Sequence, residues 1–429
     1  MPIVEFETPL GQRLLINARR EATSILVDQK LTLNYDREGR LYSAWIEGRN
    51  YRRGLDNRVL EKQEGPQPGL SYRVRRELGP AEARQFLAET YARAADYRAA
   101  LNDPSTRVVS ASSPDDAQTA RDALDRVLAC GVECLERDRA TFHIIYKPIS
   151  ILPPDQYLAL VLQATEGCSY NQCAFCGFYR DRKFHIKSID EFKKHIRDVR
   201  AFFGGGICLR KTIFLADANA LIIPQAQLVP LFDAINAEFA IHPAYCEGDA
   251  LRDWEAQRPI HFEGIYSFID AFSTRRKSAR DFAALAARGL KRVYVGLESG
   301  DAELLRFLGK PHTPQDVWRL VGDLKAGGIA VGVIILVGAG GDQYAEQHVR
   351  RTASLVNVLP LDQNDLIYFS ELVDYPYSEY SARMRAANIR PLTIGEIEHQ
   401  TTLLRVGFQF PNPARAPKVS YYDIREFIY

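Results

Sequence analysis

The chain has 429 residues, a formal net charge of +1, and 25% charged residues spread along its length. That balance gives no electrostatic case for a nucleic-acid or membrane-surface partner, and the apolar runs, such as Ala330 to Val337, are too short to span a bilayer. Pro2 to Asn17 mixes acids and bases into its apolar positions, unlike a signal peptide, so the expected location is cytoplasmic.

Residues 1–150 predict a β-rich and helical accessory region. Val4–Thr8, Arg13–Ile16, Leu31–Tyr35 and Leu41–Ile46 alternate or carry β-branched and aromatic residues, with turn chemistry at Asp36-Arg37-Glu38-Gly39. A break is expected at Gly65-Pro66-Gln67-Pro68-Gly69. One helix is predicted after Gly79-Pro80, with Phe86, Leu87, Tyr91, Ala94 and Leu101 on one side, and a second from Ser113-Pro114, with Leu124, Val127, Leu128 and Leu135. Thr141–Tyr146 reads as a strand. The basic cluster Arg73, Arg75 and Arg76 reads as solvated surface. Cys130 and Cys134, four apart on the second helix, share a face and read as core, with a redox or metal pair as the other option.

From 151 to 375 the pattern repeats as strand, then helix. Strands are expected at Leu158–Ala164, Lys211–Leu215, Gly264–Ile269, Arg292–Gly296, Ala330–Val337 and Asp365–Ser370. Between them lie helices starting at the capping box Ser188–Glu191, through Leu228–Phe239, at Ser278, at Thr313-Pro314 and near Tyr344. Six near-continuous apolar strands alternating with amphipathic helices imply an α/β fold with a parallel sheet covered by helices. Six units fall short of eight, so an open or partial (β/α)6 barrel is expected, with chemistry at the C-terminal strand ends. Residues 376–429 are expected to form an α/β tail that closes the barrel, with Thr393-Ile394-Gly395-Glu396 capping a helix.

The segment Thr165 to Tyr179 directly follows the first of these strands and holds Cys168, Cys173 and Cys176. Three thiolates can ligate three irons of a cubane and leave the fourth iron open to a cosubstrate. A structural zinc site is the alternative, but zinc commonly takes four ligands in paired sets; no second CxxC exists, and the nearest downstream candidate is His185.

This segment resembles the cluster loop of the radical S-adenosylmethionine (SAM) superfamily, whose usual pattern is CxxxCxxC with an aromatic before the last cysteine. Phe175 supplies that aromatic, whereas the first gap here is four residues. The resemblance continues through Phe214 to Leu221, through Val295-Gly296-Leu297-Glu298-Ser299-Gly300, which is similar to the GLESG segment of the coproporphyrinogen-dehydrogenase-like branch, through Leu308 to Thr313, and through Gly332 to Gly341. It implies a TIM-like partial barrel carrying one [4Fe–4S] cluster on the three cysteines and a SAM site. In that site Asp217 and Asn219 would face the ammonium. Glu298, with Gly296 and Ser299 beside it, would face the ribose or ammonium. Lys310, or Arg306, would face the carboxylate. The Val337–Gly338 backbone would face the adenine.

The implied reaction is reductive cleavage of SAM to a 5′-deoxyadenosyl radical that abstracts hydrogen from an unidentified small-molecule substrate, with flavodoxin or ferredoxin as electron donor. Asp270, Glu371 and Asp374, at or beyond strand ends, are candidates for substrate contact or proton transfer. A radical SAM methyltransferase is the enzymatic alternative, although the DxHxxG pattern of a corrinoid-binding module is absent. A non-catalytic iron–sulfur or zinc protein is the alternative of another class.

Overall fold

A computed structural model describes residues 3–65, 73–244, 246–272, 277–375 and 377–429. Residues 66–69 of the expected break lie outside these. The chain forms two compact units. One comprises residues 1–151, 197–211 and 425–429, the other residues 152–196 and 212–424.

In the first unit a nine-stranded antiparallel sheet is built from β1 (Ile3–Glu7), β2 (Arg13–Ala18), β3 (Ala22–Val27), β4 (Leu31–Asp36), β5 (Leu41–Ile46), β6 (Arg49–Arg53), β7 (Val59–Gln63), β8 (Val74–Glu77) and β9 (Arg107–Ser110). Its order, β8 through β1 and then β9, is a meander closed at one edge by a later strand. Alternate residues point to one face, and there Val4, Phe6, Leu14, Ile16, Ile25, Leu33 and Tyr35 are buried. α1 (Pro80–Ala100) and α2 (Asp116–Ile145) share that core through Leu87, Tyr91, Ala94, Leu124, Val127 and Leu135. Cys130 is buried in the same cluster, with Cys134 packed against it. α2 bends at Gly131, whose φ of +63° interrupts the helix between the two cysteines.

Two expectations change in this unit. Thr141–Tyr146 is not a strand but the last turn of α2 and its cap. The run is aromatic and β-branched, yet Phe142 and Tyr146 stand four residues apart and stack at 5.0 Å between ring centroids, a helical spacing. The basic cluster is solvated only in part: Arg73 and Arg75 pair with Glu426 and are largely covered, whereas Arg76 is exposed and pairs with Glu61 and Glu82.

In the second unit seven strands form one parallel sheet: β10 (Leu160–Gln163), β13 (Ile213–Ala216), β14 (Ile265–Ile269), β15 (Leu290–Glu298), β16 (Ala330–Val337), β17 (Leu366–Glu371) and β18 (Lys418–Tyr421), in that order. A short antiparallel pair, β11 (Thr165–Glu166) with β12 (His185–Ile186), follows β10. The helices between and after the strands are α3 (Ile189–Phe203), which ends in the first unit, α4 (Gln225–Glu238), α5 (Gly248–Ala256), α6 (Ala279–Ala286), α7 (Ala302–Phe307), α8 (Pro314–Ala326), α9 (Gly341–Val356), α10 (Glu379–Ala386) and α11 (Ile394–Gly407).

β10 and β13 are buried along their whole length, as strands covered on both faces must be. Reciprocal capping boxes start α6, α8 and α11. The six expected strands are present as an α/β partial barrel. The tail adds a seventh, β18, too short and polar to be read from its pattern. Among the described residues, no helix is long and apolar enough to cross a membrane.

Candidate functional site

Because the sheet is parallel, its C-terminal strand ends share one edge. The register aligns Gln163 with Ala216, Ile269 with Val295, Glu298 with Ile335, and Val337 with Glu371. Asp217, Asn219, Asp270, Glu298, Gly338 and Glu371 therefore all stand at the same end.

The three cysteines lie there too, in the loop 167–184 that β11 and β12 close at its base. Gly167 opens the loop at φ +78°, where an added Cβ would come 3.2 Å from Arg182 and 3.3 Å from the Lys183 carbonyl. Asn171 also takes a positive φ and donates from its amide to the Tyr179 carbonyl at 2.9 Å, while its N–H points to Cys168 Sγ at 3.4 Å. Arg180 spans the loop by donating to the carbonyls of Cys173 and Cys176, each at 3.1 Å. Ala174 N–H donates to the Leu308 carbonyl at 2.9 Å, Tyr170 donates to the Gly309 carbonyl at 2.9 Å, and Tyr380 N–H donates to the Ala174 carbonyl at 3.2 Å. The loop is thus tied to the turn after α7 and to α10 by two backbone hydrogen bonds and one tyrosine hydroxyl, without any sulfur. Phe175 packs into the apolar cluster of Leu304, Leu308, Tyr380 and Met384.

Burial pushes the Cys173 thiol up to about 11, against the pull of the Lys310 ammonium, with the charges of Cys176, Glu298 and Cys168 adding to the rise. Burial raises Cys176 likewise. The three thiols share this one loop at the strand ends. The other four cysteines lie elsewhere: Cys130 and Cys134 on α2, Cys208 in the turn after α3, and Cys246 before α5. His185 turns to Glu191 at 3.4 Å. This is a three-thiolate donor set, which suits an iron–sulfur cluster with one open iron better than a four-coordinate structural zinc.

Around the loop, charged groups meet in pairs. Lys310 Nζ lies 2.8 Å from Glu298 Oε1, with both side chains nearly buried. Burial opposes the ammonium, but the Glu298 carboxylate outweighs it and holds the lysine pKa above its ordinary value. Gly296 lies against the pair: a Cβ there would sit 2.5 Å from Glu298 Oε1 and 3.4 Å from Lys310 Nζ. Lys310 also stands 5.8 Å from the Phe175 ring centroid. Asp217 accepts from Gly167 N–H at 3.1 Å and lies 3.5 Å from Arg182, and its own N–H donates to Thr165 Oγ1 at 2.9 Å. Burial still lifts its carboxyl to about 6. Asn219 donates to the Asp270 carboxylate.

Several residues occupy places the sequence did not indicate. Ser299 is fully buried; it accepts from Asp301 N–H and faces His348 Nδ1 at 2.8 Å. Gly338 N–H donates to Gln400, the Val337 carbonyl accepts from Leu372 N–H, and the space a side chain would take at Gly338 is filled by Ile397. Asp374 accepts from Ser378 and Ser381 at the start of α10. Glu371, the last residue of β17, is half-buried, and Arg306 is exposed beside Glu303. The sequence alone assigned no role to Arg182, nor to His312 within the Leu308–Thr313 turn. Arg182 had a signal, a cation within the cluster loop. His312 is buried against Phe272, neither ring nitrogen makes a well-formed hydrogen bond, and burial with the nearby Lys310 charge pushes its pKa down to about 3.

Residues 162–353 match the Radical SAM superfamily. Among solved structures, the chain is similar to coproporphyrinogen III oxidase from Escherichia coli, a radical SAM enzyme, at 14% identity and TM-score 0.39, over 58% of this chain and 52% of that one. It is also similar to the radical S-adenosylmethionine methyltransferase TsrM from Kitasatospora setae, at 19% identity and TM-score 0.39, over 58% and 45% of the two chains. A third similar structure is methylornithine synthase, at 12% identity and TM-score 0.34, over 61% and 71%. The match spans about half the length of the first two. No curated protein matches the chain.

Proposed function

We propose, from the match of residues 162–353 to the Radical SAM superfamily, that this chain is an enzyme that removes a hydrogen atom from a small-molecule substrate. Cys168, Cys173 and Cys176 would hold the [4Fe–4S] cluster, and the strand-end residues would receive SAM. The observation that carries the reading is the placing of three cysteines in one loop at the C-terminal strand ends, the end that also holds the buried Lys310–Glu298 pair. When bound and reduced, the cluster supplies the electron that cleaves SAM into methionine and a 5′-deoxyadenosyl radical. A one-electron donor of the flavodoxin or ferredoxin kind supplies the reductant.

The chain's own work is to bind and orient. Glu298, held at one oxygen by Lys310, presents a fixed negative group to the ribose hydroxyls or ammonium of SAM. Lys310 pairs with that carboxylate and counters the charge of Cys173. Asp217 anchors Gly167 and Arg182, so it positions the cluster loop rather than facing solvent. Asn219 and Asp270 act as one hydrogen-bonded unit at the ends of β13 and β14, where the pair can meet the cosubstrate ammonium or the substrate. Glu371 and Asp374 flank the same edge as candidate substrate contacts.

The test is anaerobic cluster reconstitution followed by dithionite and SAM. The expected product is 5′-deoxyadenosine, absent from the Cys168→Ala, Cys173→Ala and Cys176→Ala variants. A well-loaded cluster that yields none overturns the proposal. S-adenosylhomocysteine formed instead would redirect it to methyl transfer.

A further inference from the structure

Two histidines and a glutamate converge at the other end of the parallel sheet, before β14 begins. An isolated parallel bridge pairs Ile241 with Phe262, and backbone hydrogen bonds from His242 N–H to the Phe262 carbonyl and from Phe262 N–H to the Ala240 carbonyl hold it closed. The bridge brings His242 and His261 side by side, with ring centroids 5.2 Å apart and planes inclined by 29°. Between them in sequence, α5 carries Glu255 back to both rings. Its Oε1 lies 3.0 Å from His242 Nε2 and 3.6 Å from His261 Nε2. One ligand atom from each residue falls within 4.8 Å of the other two. Trp254 packs edge-on against both rings.

Two ring nitrogens face one carboxylate in this cluster. His261 Nδ1 lies 2.7 Å from the Arg258 carbonyl, so that nitrogen carries the proton. In the neutral ring, Nε2 is then a lone pair pointed at a carboxylate. His242 Nε2 is buried and makes no hydrogen bond, although a glutamate oxygen stands 3.0 Å away. A cation among the three atoms would give both ring nitrogens and the carboxylate a partner at once. The Nδ1–H to backbone carbonyl contact of His261 is also the arrangement that orients a metal-ligating histidine through its far nitrogen.

We infer that His242, Glu255 and His261 form a second metal site, separate from the cysteine loop, that takes a divalent transition metal of the zinc class. Two imidazoles and one carboxylate are borderline donors suited to such an ion, whereas calcium or magnesium would call for oxygen donors. Three protein ligands leave one position to water. The ion clips α5 to the segment that leads into β14, at the sheet end opposite the cysteines. Its role there is to brace the barrel.

The test uses the full-length chain carrying Cys168→Ala, Cys173→Ala and Cys176→Ala, so that cluster thiols cannot capture the probe. Cobalt(II) is titrated into the chelator-treated protein and then displaced with zinc. The expected result is one equivalent of cobalt giving visible d–d absorption, with quenching of Trp254 emission that a Trp254→Phe variant lacks. His261→Gln and Glu255→Gln should each weaken binding at least tenfold with an unchanged far-ultraviolet circular dichroism spectrum. Absence of the cobalt band at one equivalent overturns the inference, as does equal affinity in both folded variants. Should His261→Gln misfold, Glu255→Gln, which keeps side-chain size, decides alone.

Discussion

Lys310 and Glu298 show how one buried residue depends on another. Each would be costly alone in a nearly dry site, and neither carries a favourable electrostatic balance without its partner. Lys310→Ala should therefore cost about 3–5 kcal/mol of folding stability, since it leaves a buried carboxylate uncompensated. The double variant Lys310→Met with Glu298→Gln should recover most of that loss, while remaining inactive. Denaturant titrations of the three proteins check this; equal stability of Lys310→Ala and the parent would show that the pair is not sealed from water. His348 makes a second residue-scale argument. It is completely buried, and burial holds its pKa down to about 4, below the ordinary 6.5. Between those values the unfolded chain takes up a proton that the folded chain refuses, so stability falls as pH drops from 6.5 towards 4. The loss amounts to about 3 kcal/mol, at 1.36 kcal/mol per pKa unit. His348→Gln should remove that part of the slope, and denaturation at pH 7 and pH 5 reads it.

The turn after α7 does for a whole element what these side chains do singly. Gly309 sits at φ +72°, and a Cβ there would lie 3.2 Å from the Gln172 carbonyl and 3.4 Å from Ala174 N, both in the cluster loop. Gly309→Ala adds left-handed strain of about 1–2 kcal/mol and pushes the loop without altering a thiol. Iron should then leave the reconstituted protein several-fold faster in the presence of a chelator. A release rate equal to the parent's would mean that the loop does not rest on this turn. The same elements show what the sequence made legible. β10, β13 and β16 could be read because a strand covered on both faces is a continuous apolar run. β18, Lys-Val-Ser-Tyr at the sheet edge, offers no such run. The cysteines could be read because loop chemistry is local. The Asn219–Asp270 contact could not, because it joins residues 51 apart through the register of β13 and β14. Nor could the occupation of Gly338 by Ile397, since nothing near position 338 announces a residue from α11.

At the scale of the whole molecule, the strand-end site draws on residues from Cys168 to Glu371, so SAM bound there would restrain much of the second unit at once. A ligand that binds only the folded state raises stability by RT ln(1 + [L]/Kd), about 2.7 kcal/mol at a hundredfold excess over Kd. Cluster-loaded protein should gain that amount from SAM, read as a shift in the denaturant midpoint under anaerobic conditions. The triple Cys→Ala variant should fold, because the loop is tied down by Ala174 N–H to Leu308, Tyr380 N–H to Ala174, and the Tyr170 hydroxyl to Gly309, none of which involves sulfur. It should gain little from SAM, because the open iron that would chelate the amino and carboxylate groups is missing. The two proteins thus separate the scaffold from the cofactor. An equal shift in both would place SAM binding on protein groups such as Glu298 alone. No shift in the loaded parent would remove SAM from the strand ends altogether.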